Sequence, residues 1–228
     1  MKFLALLLLS LSLSTTHAAT PVERKVPVTG VYSPRGYDTL DSSEVVVSGY
    51  LPNTCHKNPK TTVKVKGHKI LVSLDSLYYG PENPFCAEVL IPFVRTVNLG
   101  LLEKGEYTVS VNEGTNYGKK VKFNVTGSRG DNGRNQTYAN VEHIERFPEK
   151  GILKLQGHNP SDCLVLDEIR VLDNGRNTIT ILPRMKRISQ HCPMKMTPFT
   201  YNVQVPSEEG RTLIHVRTMY GDSLNTIY

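Results

Sequence analysis

Three neighbouring residues carry the side-chain types of a hydrolase triad. His158, Ser161 and Asp162 would supply the base, the nucleophile and the orienting acid of such a triad. They flank Asn159-Pro160, a composition typical of a tight turn in which short polar side chains hydrogen-bond the local backbone. A turn this tight does not readily bring three side chains into catalytic contact. We therefore predict that the protein is not an enzyme, and keep a hydrolase with an interdomain site as an alternative.

Cysteine and histidine are the other residue types with chemical potential here, and the chain has four Cys and seven His. Cys55-His56 and His191-Cys192 each place a sulfur beside an imidazole, which raises the possibility of zinc. Adjacent residues of an extended chain point to opposite faces, so neither pair readily shares one ion. The sequence contains no His-Glu-x-x-His motif, no Gly-x-Ser-x-Gly elbow and no phosphate-binding glycine loop. We expect no metal and no other cofactor.

An internal repeat contains all four cysteines. The spacing from glycine to cysteine is six residues in both copies, for Gly49 with Cys55 and for Gly157 with Cys163. A Pro-Phe pair follows the second cysteine at one common spacing, as Pro92-Phe93 after Cys86 and Pro198-Phe199 after Cys192. Between these markers, the alignment matches Ile70-Leu71-Val72 with Thr178-Ile179-Thr180. A shared register of this kind indicates two copies of one unit.

The repeat also selects a disulfide pattern. Four cysteines allow three pairings, and only Cys55–Cys86 with Cys163–Cys192 keeps the two units equivalent. Each bridge closes a loop of about 30 residues, which stabilises a fold by roughly 3 to 4 kcal/mol in the chain-entropy model. Disulfides also require an oxidising compartment.

Alternating apolar and polar residues run through both units, as in Thr62-Val63-Lys64-Val65-Lys66 and Leu213-Ile214-His215-Val216-Arg217. This alternation is typical of strands with one buried face. Glycine and proline recur about every ten residues, which indicates short strands separated by turns. We predict an all-β chain with seven strands per unit, the first near Val26–Tyr32. The predicted domains are residues 19–127 and 138–228, joined by a glycine-rich linker over 128–137.

Short strands repeated in this way resemble the immunoglobulin-like β-sandwich modules that occur in tandem in exported bacterial envelope proteins. The resemblance covers both units and implies two tandem sandwiches related by internal duplication. The tryptophan that marks antibody domains is absent, since the chain has no Trp. The resemblance therefore implies an architecture and carries no function with it.

The N-terminus has the pattern of a secretory signal peptide. Lys2 precedes an apolar run over Phe3–Leu9, and small residues follow as far as Ala18. The run is shorter than the ~20 residues that span a bilayer. We place the signal peptide at residues 1–18 and expect an exported protein, periplasmic or secreted, without a transmembrane segment in the mature chain.

The segment before the second cysteine has a different sequence in each unit, although the repeated positions around it match. We predict that this segment is a ligand loop in both units. In the first unit the candidate residues are Tyr78, Tyr79, Asn83 and Phe85, whose rings and amide suit a sugar or a peptide. In the second unit they are the cations Arg184, Lys186 and Arg187.

The chain is basic, with a formal net charge of +6. The excess is spread over both units, so we expect no nucleic acid partner. One local cluster, made of Lys57, Lys60, Lys64, Lys66 and Lys69, favours either a solvated strand face or weak attraction to an anionic envelope polymer. Whether the Arg129-Gly130-Asp131 tripeptide or the N-glycosylation sequons at Asn124 and Asn135 are used is left open.

Together these features predict an exported, non-catalytic binding protein of the cell envelope. It would recognise a protein or a glycan through its disulfide-tethered loops. The alternatives are an inhibitor or chaperone-like factor for one protein partner, and the hydrolase named above.

Overall fold

A computed structural model describes residues 20–80, 85–128, 137–206 and 210–228. The predicted signal peptide and most of the predicted linker, residues 129–136, lie outside the described residues. So do Asn83, Arg129-Gly130-Asp131 and Asn135. In the described ranges the chain forms strands and two single 3-10 turns, with no α-helix.

The first domain has two sheets, which we call sheet A and sheet B. Sheet A contains five strands and sheet B three. The strands of sheet A are β1 (Val22–Lys25), β4 (His56–Lys66), β5 (Lys69–Tyr78), β7 (Gly105–Val111) and β8 (Lys119–Val125). The strands of sheet B are β2 (Val28–Tyr32), β3 (Ser42–Leu51) and β6 (Ile91–Leu101).

The second domain repeats this arrangement with a five-stranded sheet C and a three-stranded sheet D. The strands of sheet C are β9 (Thr137–Tyr138), β12 (Leu164–Asp173), β13 (Thr178–Arg187), β15 (Leu213–Arg217) and β16 (Ser223–Ile227). The strands of sheet D are β10 (Val141–Phe147), β11 (Ile152–Asn159) and β14 (Thr197–Gln204).

Strand pairing is the same in both domains. In sheet A, one edge of β5 pairs antiparallel with β4. The other edge of β5 pairs antiparallel with β1 and parallel with β7. In sheet C, β13 pairs in the same way with β12, β9 and β15. Each domain buries one apolar core. The predicted fold class, an all-β chain of two β-sandwich domains, is confirmed.

The predicted first strand is divided in the structure. β1 pairs with β5 in sheet A, whereas β2 pairs with β3 in sheet B, so the chain changes sheets at Val26-Pro27. Pro27 has no N–H to donate to a ladder, and its carbonyl accepts a hydrogen bond from the Tyr50 N–H at 3.3 Å. Because of this crossing, each domain has eight strands where the sequence predicted seven.

The repeat alignment is wrong by one residue within β5 and β13. The parallel ladders pair Ile70 with Val109 and Ile179 with Ile214, so Ile70 corresponds to Ile179 and not to Thr178. The β12–β13 turn is longer than the β4–β5 turn, which shifts the register. A one-residue shift exchanges the two faces of a strand, so this correction decides which side chains are equivalent.

The repeated glycines, Gly49 and Gly157, allow another chain to approach closely. A Cβ at Gly49 would overlap the carbonyl oxygen of Pro27, and a Cβ at Gly157 would overlap that of Asn140. The two glycines also sit opposite Phe93 and Phe199, the phenylalanines of the repeated Pro-Phe pairs. The repeated glycine thus marks the place where the chain passes close to β3 in domain 1 and close to β11 in domain 2.

The two domains pack through the outer faces of sheets B and C. Tyr32 and Val46 of domain 1 form a buried cluster with Leu213 of domain 2, and Ile227 packs against it. All five residues of β15 are buried, because Ile214 and Val216 point into the domain 2 core while its other side chains meet domain 1. The sheets therefore stack in the order A, B, C, D.

Candidate functional site

Both domains tether the segment before the second cysteine in the same way. The disulfides join Cys55 to Cys86 and Cys163 to Cys192, as predicted, with Cα atoms 5.3 and 5.7 Å apart. In addition, the Tyr79 N–H donates to the Cys55 carbonyl and the Ile188 N–H donates to the Cys163 carbonyl, both at 3.0 Å. We call the two tethered segments loop 1, residues 79–90, and loop 2, residues 188–196.

The predicted loop residues of domain 1 occupy different environments. Tyr78 is the last residue of β5, and its ring lies between the His56 ring at 4.6 Å and the Arg24 guanidinium at 4.4 Å. Tyr79 and Phe85 line a small cavity beside Cys55. Phe85 is 85% exposed. Since the Tyr78 ring already contacts His56 and Arg24, Tyr79, which lines the cavity, is better placed than Tyr78 for a ligand.

Arg184, Lys186 and Arg187 lie in a strand, which corrects their predicted loop placement. β13 continues to Arg187, whose partner on β12 is Leu164. The ladder runs through Pro183, whose carbonyl accepts the Ala139 N–H at 2.9 Å. Arg184 is bound by Glu168 at 2.9 Å and Lys186 by Asp167 at 3.2 Å. Their role in ligand binding stays a prediction.

Sequence reasoning missed the apolar character of both loops. Loop 1 exposes Val89 and Leu90 beside Phe85. Loop 2 exposes Ile188, Met194 and Met196, and Met194 is 90% exposed. The sequence gives no local signal for this exposure, because Ile188 and Met196 each stand between polar neighbours, as half-buried strand residues also do. Both loops therefore flank a disulfide with apolar side chains that the cores do not bury.

The two loops lie toward opposite ends of the molecule. Asp41, just before β3, contacts Arg217 at the end of β15, whereas Val46 clusters with Leu213 at the start of β15. β3 and β15 therefore cross the domain interface in opposite directions. β3 leads toward loop 1, and β13, which is parallel to β15, leads into loop 2.

The residues of the possible triad are each engaged by a different partner. The His158 Nδ1 lies 3.1 Å from the Glu142 carboxylate. Asp162 forms an ion pair with Lys195 at 2.9 Å. Ser161 is buried beside Cys163 of the disulfide. These contacts fit the turn-stabilising interpretation.

A buried polar network crosses the domain interface around His215. Its Nδ1 lies 2.8 Å from the Asn225 Oδ1, an acceptor, so Nδ1 carries the proton and Nε2 accepts from the Tyr37 hydroxyl at 3.2 Å. The Asn225 amide donates to Glu44 at 3.1 Å, and Ser223 donates to the same carboxylate at 2.5 Å. Tyr37 and Glu44 belong to domain 1, so the network fixes one domain against the other.

Arg217 forms the second polar contact of the interface. Its guanidinium donates two hydrogen bonds to Asp41, at 2.6 and 2.8 Å, and lies over the rings of Tyr37 and Tyr138. Burial by itself disfavours the cation, but hydrogen bonding to Asp41 raises the pKa of Arg217 above its ordinary value. The guanidinium is therefore charged in the folded protein.

A cleft of about 1070 Å³ opens beside this ion pair, between the β2–β3 connection and sheet C. Residues of both charges line it, among them Arg35, Asp38, Glu168 and Arg184. Arg35 donates from its backbone N–H to Thr180 and from its guanidinium to the Asp173 carbonyl, both at 2.9 Å. These contacts make the cleft part of the domain contact.

Acid should weaken the fold through His215. Burial is the main cause that lowers the pKa of His215 from 6.5 to about 4, and the nearby Arg217 charge also lowers it. The unfolded chain thus binds a proton below pH 6.5 that the folded chain accepts only near pH 4. We expect the free energy of unfolding to fall by up to about 3 kcal/mol over this range, measured by urea denaturation at several pH values.

The matched variant is His215→Gln, which removes the titrating group and should flatten the profile between pH 6.5 and 4. Some slope should persist, because burial and the Arg24 charge also lower the pKa of His56. The other charged groups facing His215 are Glu44 and Asp41, together with Arg217. An equal slope in the variant and the wild type would contradict the prediction.

Two further properties concern the described residues alone. Among them, no group of three or more His, Cys, Asp or Glu side chains is placed to hold a metal ion. In the same ranges, no helix has the length and apolar character needed to cross a membrane.

Comparison with known proteins gives a match to a family model. A family model described as the ORF11 beta-sandwich domain matches residues 45–125. The matched segment runs from within β3 to the end of β8, and so covers most of domain 1. No curated protein and no solved structure matches the chain. The chain is therefore similar to this domain over about a third of its length.

Proposed function

We propose that this chain is an exported, non-catalytic binding protein that engages protein partners through loops 1 and 2. The observation that carries the proposal is the exposure of apolar side chains on both disulfide-tethered loops. Exposed apolar clusters on soluble domains mark interaction surfaces, since leaving them in water is unfavourable. The expected export, inferred from residues 1–18, and the two disulfides support an extracytoplasmic setting.

The side-chain types favour a protein partner over a glycan. Loop 2 offers Ile188, Met194 and Met196, and methionine is enriched at protein interfaces because it adapts to irregular surfaces. Stacking on a sugar needs an aromatic face, and the Tyr78 ring, one of the predicted aromatics, already contacts His56 and Arg24. The tethers limit the entropy that each loop loses on binding, which favours affinity.

Mutation of the loops tests the proposal. We expect Phe85→Ser/Leu90→Ser and Ile188→Ser/Met194→Ser each to lower crosslinked capture of a partner from extracellular or envelope extracts, and the variant with all four substitutions to abolish it. The matched control is Leu101→Ser/Tyr220→Ser, which replaces two side chains that are also exposed but lie outside both loops. Loss in the control as well, or undiminished capture by both loop variants, would contradict the proposal.

Stoichiometry separates this function from the alternative of an inhibitor with one partner. Because loops 1 and 2 lie toward opposite ends, we expect two partner molecules per chain by analytical ultracentrifugation with the captured protein. Each loop variant should then bind one. A complex of one partner per chain that either loop variant abolishes would favour the single-partner inhibitor.

A further inference from the structure

The outer face of sheet A carries eight exposed lysines, three more than the cluster of five found in the sequence. Alternation along the strands brings lysines from β1, β4, β5 and β8 to one side of the sheet. Eight exposed lysines share this face, and four carboxylates lie among them. The lysines are Lys25, Lys57, Lys60, Lys64, Lys66, Lys69, Lys120 and Lys122, and the carboxylates are Glu23, Asp75, Glu106 and Glu113.

The duplicated scaffold provides an internal comparison for these positions. Sheet C has the same topology, and domain 1 covers part of its outer face, at β13, β15 and β16, whereas Glu168 and Arg170 of β12 stay exposed. Lys122 pairs with Thr108, and the corresponding pair in sheet C is Ile227 with Leu213, which lies against Tyr32 and Val46. The counterparts of Lys69 and Lys120 are Thr178 and Asn225 by the same registers. At these three positions the covered side chains are neutral, whereas the uncovered ones are lysines.

The lysines of strand β4 are the charges on this face that carboxylates do not neutralise. Asp75 pairs with Lys25, Glu106 with Lys122, and Glu113 with both Lys69 and Lys120. In the described residues, the β4 lysines form no ion pair within 4 Å; they are Lys57, Lys60, Lys64 and Lys66. Lys57 and Lys66 are nine residues apart, so this row of four lysines spans about 30 Å along the extended edge strand.

We propose that strand β4 and the adjoining face of sheet A bind an anionic polysaccharide carrying carboxylates or sulfates. Lysine is a compact point charge, which suits carboxylates and sulfates spaced along a flexible polymer. Binding would release counterions from the polymer, and this release favours association at low salt. No aromatic side chain in the described strands alternates onto this face, so it lacks the stacking surface that single-stranded nucleic acid uses. Lys57, at one end of the row, also lines the cavity beside loop 1, whereas Lys60, Lys64 and Lys66 do not.

The test uses the mature full chain with sulfated dextran, alginate and uncharged dextran as probes. We expect the two charged polymers to bind and the uncharged one not to bind, by isothermal titration calorimetry at low salt. We expect Lys60→Gln/Lys64→Gln/Lys66→Gln to weaken binding at least tenfold. The control, Lys150→Gln/Arg176→Gln/Arg211→Gln, removes the same charge from exposed positions of domain 2 and should weaken it less than twofold.

Three outcomes would overturn the proposal. Equal losses in the two triple variants would show attraction to net charge alone. No binding of either charged polymer by the wild type would exclude the site. Equally tight binding of a single-stranded DNA oligomer, with the same sensitivity to the β4 variant, would replace the polysaccharide by a nucleic acid. If only alginate or only sulfated dextran binds, the anionic group is assigned to carboxylate or sulfate.

Discussion

Replacing Arg217 with methionine is expected to lower the free energy of unfolding by about 3 to 5 kcal/mol, the usual cost of breaking a buried ion pair from one side. The Arg217 side chain is 5% exposed, and its loss leaves Asp41 in the interface without a cation. Asp41→Asn should cost a similar amount, because the guanidinium would then lack its anion between Tyr37 and Tyr138. Urea denaturation at pH 7 measures both effects.

The double variant Arg217→Met/Asp41→Leu distinguishes the effect of the ion pair from the effect of replacing each side chain. We expect it to be more stable than the sum of the single losses predicts, since neither charge is then left alone. The control is Glu145→Gln, which breaks the more exposed pair with Lys154 and should cost less than about 1 kcal/mol. A loss for Arg217→Met no larger than for Glu145→Gln would contradict the structural role of the pair.

The interface variants should also change how the chain unfolds. The Arg217–Asp41 pair and the His215 network both join domain 1 to domain 2. Once they are broken, we expect the single cooperative transition to divide into two, because each domain has its own core.

Removing one disulfide is the second change with a large expected effect. Cys55→Ala/Cys86→Ala should lower the free energy of unfolding by roughly 3 to 4 kcal/mol, because the bridge constrains about 30 residues of the unfolded chain. The sequence separations are 31 and 29 residues, so Cys163→Ala/Cys192→Ala should cost nearly the same. Thermal or urea unfolding under oxidising conditions measures both.

Reduction of the wild type is the control for the disulfide variants. A reducing agent should lower wild-type stability by about the sum of both losses, and lower each variant only by the contribution of its remaining bridge. Each variant should also lose partner capture by the loop that it releases and keep capture by the other. Variants as stable as the wild type, or a peptide map linking Cys55 to Cys163 or Cys192, would contradict this account.

The strands, the duplication and the disulfide pairing could be predicted from the sequence because their signals are local or repeated. Period-two alternation along β8 reflects one buried face of a single strand. The six-residue spacing from Gly49 to Cys55 recurs from Gly157 to Cys163, since the same crossing and the same tether recur. The candidate loops were found in the same way, through the cysteines that hold them.

The limits of the local signal appear at Pro183 and at the Val26-Pro27 crossing. A loop was predicted at Arg184, Lys186 and Arg187, but pairing of β13 with β12 and β9 carries the strand through Pro183 as far as Arg187. The two halves of the predicted first strand enter different sheets because their partners, β5 and β3, lie in different layers. In both places the partner strand decides the structure, and a partner distant in sequence leaves no local pattern.

Only the tertiary structure decided which sheet faces are covered. Lys69 and Thr178 occupy equivalent positions on strands with the same pairing, yet one is exposed and the other is fully buried by domain packing. Asp41 and Arg217 are 176 residues apart and meet only when sheet B packs on sheet C. Alternation specifies that a strand has two faces, whereas the burial of the outer face depends on the docking of a second domain. The sequence therefore determined the two sandwiches and their tethers, and their docking determined the buried interface and left the lysine face open.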